Sequence, residues 1–203
     1  MDLLDLSVVN LNSPYSVWNV GDYYYFRTSH GAVYKVSFMQ DDTIWENDAY
    51  QFIIVNENNT PSPNDRKLRE TIFSIIENFF SLNSRIFLYI CETGDGKQAL
   101  RNKLFVKWFK TYAKNNLYYF EDVEIEAEDI RNFAAIIVKN TNPRLNDIVE
   151  TFDYVVDTLS VINPSNSFLL SSALASYDEI ILRKVTCDWQ PFEIKTPDYS
   201  LCE

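Results

Sequence analysis

Arg85-Ile86-Phe87-Leu88-Tyr89-Ile90-Cys91-Glu92-Thr93-Gly94-Asp95-Gly96-Lys97 reads as an apolar strand running into a tight glycine loop, and residues 98–109 continue as a basic, aromatic helix. The unbroken apolar run from Ile86 to Ile90 belongs in the middle of a sheet, where both faces are covered. Two of the chain's four glycines sit in the loop, which marks a backbone that side-chain-bearing residues would resist. Asp95 and Gln98 have the spacing of a capping box for the helix, which the pattern extends over about residues 97–114.

Outward from this segment, the chain alternates hairpins with helices. Residues 23–28 and 32–38 form two strands joined at Ser29-His30-Gly31, with Tyr34, Val36 and Phe38 on one face. Residues 40–48 read as a polar, acidic loop, and residues 50–55 as a third strand. Ser62 is placed as an N-cap with Pro63 at the first helical position, and Asp65 completes the cap. Leu68, Ile72, Ile75, Ile76 and Phe79 then recur at helical spacing, widened by Phe73 and Phe80. Beyond the basic helix, residues 117–127 and 132–139 form a second hairpin. Asn142-Pro143 opens a further helix whose apolar face holds Leu145, Ile148, Val149, Phe152, Val155, Val156 and Leu159. Asp147, Glu150 and Asp157 point away from that face.

This order predicts an α+β domain: a mixed, largely antiparallel sheet with about three helices packed on it. Residues 1–159 form the domain, and residues 160–203 are a C-terminal extension that either hangs loose or completes it. Within the extension, residues 166–176 read as a short helix and residues 180–185 and 192–195 as strands.

Composition restricts the function. With 203 residues, the chain can bury roughly 70% of its unfolded surface and needs neither disulfides nor metal to hold a core. Formal charge is −11, with a pI near 4.6, which opposes nucleic-acid binding and suits a basic protein partner. Cys91, Cys187 and Cys202 are odd in number and lack metal-ligand spacing, so they read as reduced thiols of a cytoplasmic protein. The apolar stretches, residues 133–138 among them, are too short to cross a bilayer, and the start carries no leader pattern. No cofactor or metal is expected.

The candidate site residues are Asp95, Lys97, Arg101, Lys103, Lys107 and Trp108. A glycine loop at a helix N-terminus can hold an anion, but the spacing is not that of a nucleotide-binding loop. Asp95-Gly96-Lys97 matches half of a metal-dependent nuclease site and lacks the upstream acidic strand partner. A capped turn is the commoner explanation.

In helical projection Leu100, Leu104, Phe105, Trp108 and Tyr112 form the apolar arc. Lys103, Lys107, Lys110 and Lys114 form a separate basic stripe, and Arg101 falls inside the arc. A guanidinium there requires a counter-charge or a wet cleft. It either anchors a carboxylate or phosphate, or bridges to an internal acid such as Glu92, Asp65 or Glu77. The lysine stripe is a solvated face, or it docks on the Asp147/Glu150/Asp157 face of a neighbouring copy.

His30, the sole histidine, excludes multi-histidine metal sites and sits in a turn. Cys91 reads as a packed thiol. Asp122, Glu124, Glu126, Glu128 and Asp129 read as a solvent-facing row.

Tyr25-Phe26-Arg27-Thr28 with Gly31, Tyr34, Val36 and Phe38; Asp65, Thr71-Ile72 and Phe79-Phe80; and Tyr89-Ile90-Cys91 with Asp95 to Ala99, Arg101, Leu104-Phe105 and Trp108-Phe109 carry a resemblance. Over about residues 23–159 the chain resembles a small domain family of unknown function from Bacteroidetes-type bacteria. The resemblance implies a one-domain cytoplasmic bacterial protein and transfers no activity, ligand or catalytic residue. The leading expectation is a non-catalytic binding or interaction protein with an acidic surface, meeting a protein partner or a second copy of itself. The alternative is an enzyme or small-anion binder with a cleft around Asp95, Lys97 and Arg101.

Overall fold

The computed structural model describes residues 4–42, 44–45, 48–61, 65–91, 96, 98–112, 117–127 and 130–161. Its elements run α1 (Leu6–Asn12), β1 (Val17–Val20), β2 (Tyr23–Arg27), β3 (Val33–Gln40), β4 (Ala49–Asn56), α2 (Arg66–Phe79), β5 (Ile86–Ile90), α3 (Gln98–Tyr112), β6 (Tyr118–Ala127), β7 (Ile130–Lys139) and α4 (Leu145–Val161). The strands form one seven-stranded sheet in the order β1-β2-β3-β4-β5-β7-β6. Every pairing is antiparallel except β4 with β5, which run parallel because α2 carries the chain back across the sheet. The expected α+β class and mostly antiparallel sheet are therefore present.

The chain reaches the far edge before filling the gap. After α3 it lays down β6, turns, and inserts β7 between β6 and β5. Composition explains the choice. Ala134 to Val138 is wholly apolar and suits an inner strand, whereas β6 alternates Asp122 and Glu124 with half-buried Val123 and Ile125 and tolerates an edge. β5 is central as expected: Phe87 enters the core on one face of the sheet, and Ile86 and Leu88 enter the core on the other.

Four expectations need correction. The structure has a helix and a strand ahead of the first expected hairpin. Asp5 caps α1 by accepting from the Ser7 and Val8 amides, and Gly21, at φ +58°, makes the β1–β2 turn. Four helices are described, then, instead of about three. The N-cap of α2 is Asp65 itself, which accepts from the Lys67 amide; Ser62 and Pro63 lie outside the described residues. The segment between β3 and β4 is more than a polar loop, since Trp45 is buried among Ile86, Leu88, Ile148 and Phe152. In α3 the arc is rotated: Leu100 is 51% exposed, while Phe109, left out of the projected arc, is in the core. The expected elements at 166–176, 180–185 and 192–195 lie outside the described residues.

α1, α2 and α3 pack on one face, over a core with members from every strand. α4 packs on the other, over Ala49 of β4 and residues of β5, β7 and β6. Asn142 holds the entry to α4: its Oδ1 accepts from the Arg144 amide at 2.8 Å and its Nδ2 donates to the Ser84 carbonyl at 3.2 Å.

Candidate functional site

Arg101 projects from the first turn of α3 toward the sheet and is only 8% exposed, as its place in the helical projection requires. It lines a cavity of about 50 Å³ bounded by Tyr34 and Phe52 of the sheet, Leu68 and Ile72 of α2, and Trp108 of α3. That is small beside small-molecule pockets, which run to roughly 300–1,000 Å³.

The cavity is small because rings fill the layer between helices and sheet. Phe105 stacks on Tyr89 at 3.9 Å between centroids, and Phe109 on Phe120 at 5.0 Å.

Beside Arg101, the Cys91 thiol donates to the Tyr89 hydroxyl at 2.9 Å. Burial pushes the Tyr89 hydroxyl far above its usual range, and the neighbouring Cys91 adds to the effect; the Arg101 charge pulls the other way and loses. Burial also pushes the Cys91 thiol up, against the Tyr89 hydrogen bond and Arg101. A thiol held protonated is a poor nucleophile. Cys91 is a packed side chain, free of any disulfide.

Of the other sequence candidates, Lys103 and Lys107 are exposed on the outer side of α3, together with Lys110. Lys110 Nζ stands 5.8 Å from the Phe120 ring centroid. Trp108 is half-buried in the cavity wall. Asp95, Lys97 and Lys114 lie outside the described residues, as does Glu92. The described part of the chain therefore brings Arg101 and Trp108 together and leaves the two lysines on a separate face. Asp65 is engaged at α2, where its carboxylate receives the Lys67 amide and, at 2.7 Å, the Tyr15 hydroxyl. Among the described residues no group of three His, Cys, Asp or Glu side chains could hold a metal ion.

The outer face of α4 is a second candidate surface. Asp147, Glu150 and Asp157 are exposed there as the sequence pattern requires, and Asp153 joins them. Tyr154 stands among these carboxylates at 72% exposure. Sequence reasoning passed over it, although its offset from Phe152 and Val156 already placed it off the apolar face. At the start of the helix Arg144 Nη2 donates to Asp147 at 3.2 Å, and Arg144 Nη1 lies 3.9 Å from Asp48. No helix of the described residues is long and apolar enough to cross a membrane.

No curated protein and no solved structure matches the chain. A family model does, over a shorter stretch than the resemblance covered: it takes in α2, β5, α3, the β6–β7 hairpin and the first half of α4, and leaves β1–β4 outside. Residues 64–154 match the model of a family of unknown function, DUF6169.

Proposed function

We propose that this is a non-catalytic binding protein of the bacterial cytoplasm that meets a basic protein partner through the outer face of α4. The observation that carries the reading is Tyr154. A large aromatic side chain left in water among Asp147, Glu150, Asp153 and Asp157 combines an anchor with a field of one sign. Tyrosine is enriched at the energetic centre of protein interfaces, and a surrounding charge field steers the encounter and excludes wrong partners. The chain's net charge of −11 reinforces that field. A buried thiol kept protonated suits a reducing compartment.

The small-anion alternative around Asp95, Lys97 and Arg101 draws support from the burial of Arg101 alone. It has about 50 Å³ of space beside that side chain, too little for a metabolite. The structure gives it less support than the α4 face.

The test is to isolate the protein from its native cells, identify any bound partner, and titrate the purified pair by calorimetry at two salt concentrations. A basic partner is expected, with affinity falling steeply between 50 and 300 mM salt. Tyr154→Ala should weaken it at least tenfold, and Glu150→Lys with Asp157→Lys should weaken it further. Equal binding by wild type and all three substitutions would sink the reading, as would a salt-insensitive monomer with no partner.

A further inference from the structure

We infer that the cleft between the end of α2 and the β6–β7 hairpin is a binding site for a small organic monocarboxylate. Tyr118 and Lys139 stand opposite each other on the first rung of the hairpin, so their side chains leave the same face of the sheet. By alternation that is the face of Phe120 and Ile137, the one that carries α2. α2 stops at Phe79, and the chain then turns through Phe80 and Ser81. A cleft of about 320 Å³ opens at this corner, where the aromatic layer ends. It falls within the roughly 300–1,000 Å³ range of small-molecule pockets, as the space beside Arg101 does not.

The frame of the cleft is tied together. Asn83 Nδ2 donates to the Thr141 carbonyl at 2.6 Å, and the Thr141 hydroxyl donates to Asn83 Oδ1 at 2.8 Å. That reciprocal pair joins the α2–β5 turn to the β7–α4 turn and fixes the wall on which Thr141 stands. The floor is Phe80, fully buried, with the Tyr118 ring 5.0 Å away between centroids.

Three donors line the space: the Lys139 ammonium, the Tyr118 hydroxyl and the Ser81 hydroxyl. Among the described residues none of these three groups makes a hydrogen bond or an ion pair. Lys139 is half-buried, where an ammonium gains from a counter-charge. Burial and the nearby Glu77 charge push the Tyr118 hydroxyl above its usual range, so it keeps its proton and donates. One carboxylate has acceptor sites for all three donors. Glu77 also stands on the wall, and its charge opposes a dianion such as phosphate. The negative end of α2 is already answered by Arg85, which donates to the Phe79 carbonyl. With its carboxylate at Lys139, the ligand would lay its remaining atoms against Phe80, the Tyr118 ring and Leu117, a surface that suits a phenyl or branched alkyl body. The site does not depend on the partner proposed for α4, which packs on the other face of the sheet.

Phenylacetate and isovalerate test the assignment on the full chain, with phenethylamine and inorganic phosphate as controls. Either carboxylate should bind saturably with a Kd of about 1 mM, an affinity within reach of so few atoms. Binding should shift the amide NMR signals of Ser81, Tyr118 and Lys139, and both controls should bind at least tenfold more weakly. Lys139→Met should weaken phenylacetate about tenfold and Tyr118→Phe about threefold, a charge-assisted hydrogen bond being worth more than a neutral one. Lys107→Met, on the outer side of α3, should leave it unchanged. No saturable binding of either carboxylate below about 20 mM, far above the expected range, overturns the inference. So do shifts centred elsewhere, a control that binds as tightly, or equal binding by Lys139→Met. Should that variant fail to fold, Ser81→Glu places a like charge at an exposed position in the cleft and should abolish binding; retained binding there overturns the inference equally.

Discussion

On the face shared by α1, α2 and α3, all seven strands contribute to one core, dominated by Phe and Tyr rings. On the other face α4 covers four strands with a smaller, mainly aliphatic cluster anchored by Trp45 and Phe152. The difference separates what the two sides do. The aromatic side is closed, and its helices are tied to each other as well as to the sheet: the Asp5 amide donates to Asn78 Oδ1 at 2.8 Å, and the Tyr15 amide donates to Thr71 at 3.2 Å. Its interlocking rings leave a cavity of about 50 Å³ at Arg101. The α4 side presents an exposed acidic helix, and the proposed partner surface lies there.

The largest expected effect comes from cutting each core at its centre. Phe79 is fully buried, stacks on Phe38 at 4.3 Å and meets Phe80 and Phe87 edge-on. Phe79→Ala should cost about 4–5 kcal/mol, the upper end for such truncations, because a tightly interlocked site cannot collapse into the void. Phe152→Ala, in the smaller cluster, should cost about 3 kcal/mol. Urea unfolding of both variants settles the order. Equal losses would show that the two cores are equally rigid and remove the contrast.

A smaller effect is expected where α2 ends. Arg85 is buried, its Nη1 donates to the Phe79 carbonyl at 2.5 Å, and its guanidinium lies 5.1 Å from the Phe79 ring. The cation meets the negative end of the helix dipole while satisfying one of its last carbonyls. Arg85→Met should cost about 2 kcal/mol, since the carbonyl is left buried. Arg66→Ala, which breaks an exposed pair with Glu70, should stay within about 0.5 kcal/mol. Comparable losses for the two would mean that burial does not set the value of these arginines.

How far the chain could be read depends on how local each signal is. β7 was legible as a hairpin partner of β6, though its inner place was not read from its apolar run, and α4 was legible because a cap, a proline and a clean stripe agree. Arg101 was legible as buried from projection alone. Phe109 was not, because α3 carries Leu100, Leu104, Phe105, Val106, Trp108 and Phe109 around much of its circumference, and only the position of the sheet selects among them. α1 is seven residues long and buries only Val9, too little for a periodic signal. β1 was missed despite Gly21-Asp22 between Val20 and Tyr23, a turn signature that had more weight than it was given. Trp45 lies in a polar stretch, and its burial is a tertiary fact.

The sheet's two edges offer a finer comparison. Asn10 on α1 treats β1 as a partner strand would: its Nδ2 donates to the Val17 carbonyl at 2.9 Å and its Oδ1 accepts from the Val17 amide at 2.7 Å. That closes one edge, while charged side chains guard β6 at the other. Asn10→Ala should cost about 1–2 kcal/mol and raise the tendency to associate at high concentration. Asn12→Ala, which loses only an exposed bond to the Val8 carbonyl, should be neutral. Light scattering and urea titration of the pair distinguish a blocked edge from ordinary helix stabilisation.

The smallest effect is a titration, and it probes how wet the α4 side is. Burial pushes the Tyr119 hydroxyl up to about 12, helped by its hydrogen bond to Glu121 at 2.6 Å and by that carboxylate's charge. In the unfolded chain a tyrosine titrates near 10. The folded state therefore keeps its proton where the unfolded state releases one. The contribution is fully present below pH 10 and is lost as pH rises from about 10 to about 12. Tyr119→Phe should make the stability profile less steep across that window, the rest of the slope coming from Tyr89, and should remove one late step from the tyrosinate absorbance titration. Glu121→Gln should move that step toward 10 without abolishing it, because burial remains the larger cause. A slope that Tyr119→Phe leaves unchanged would mean that water reaches Tyr119 freely, and that the second core is looser at this edge than its packing implies.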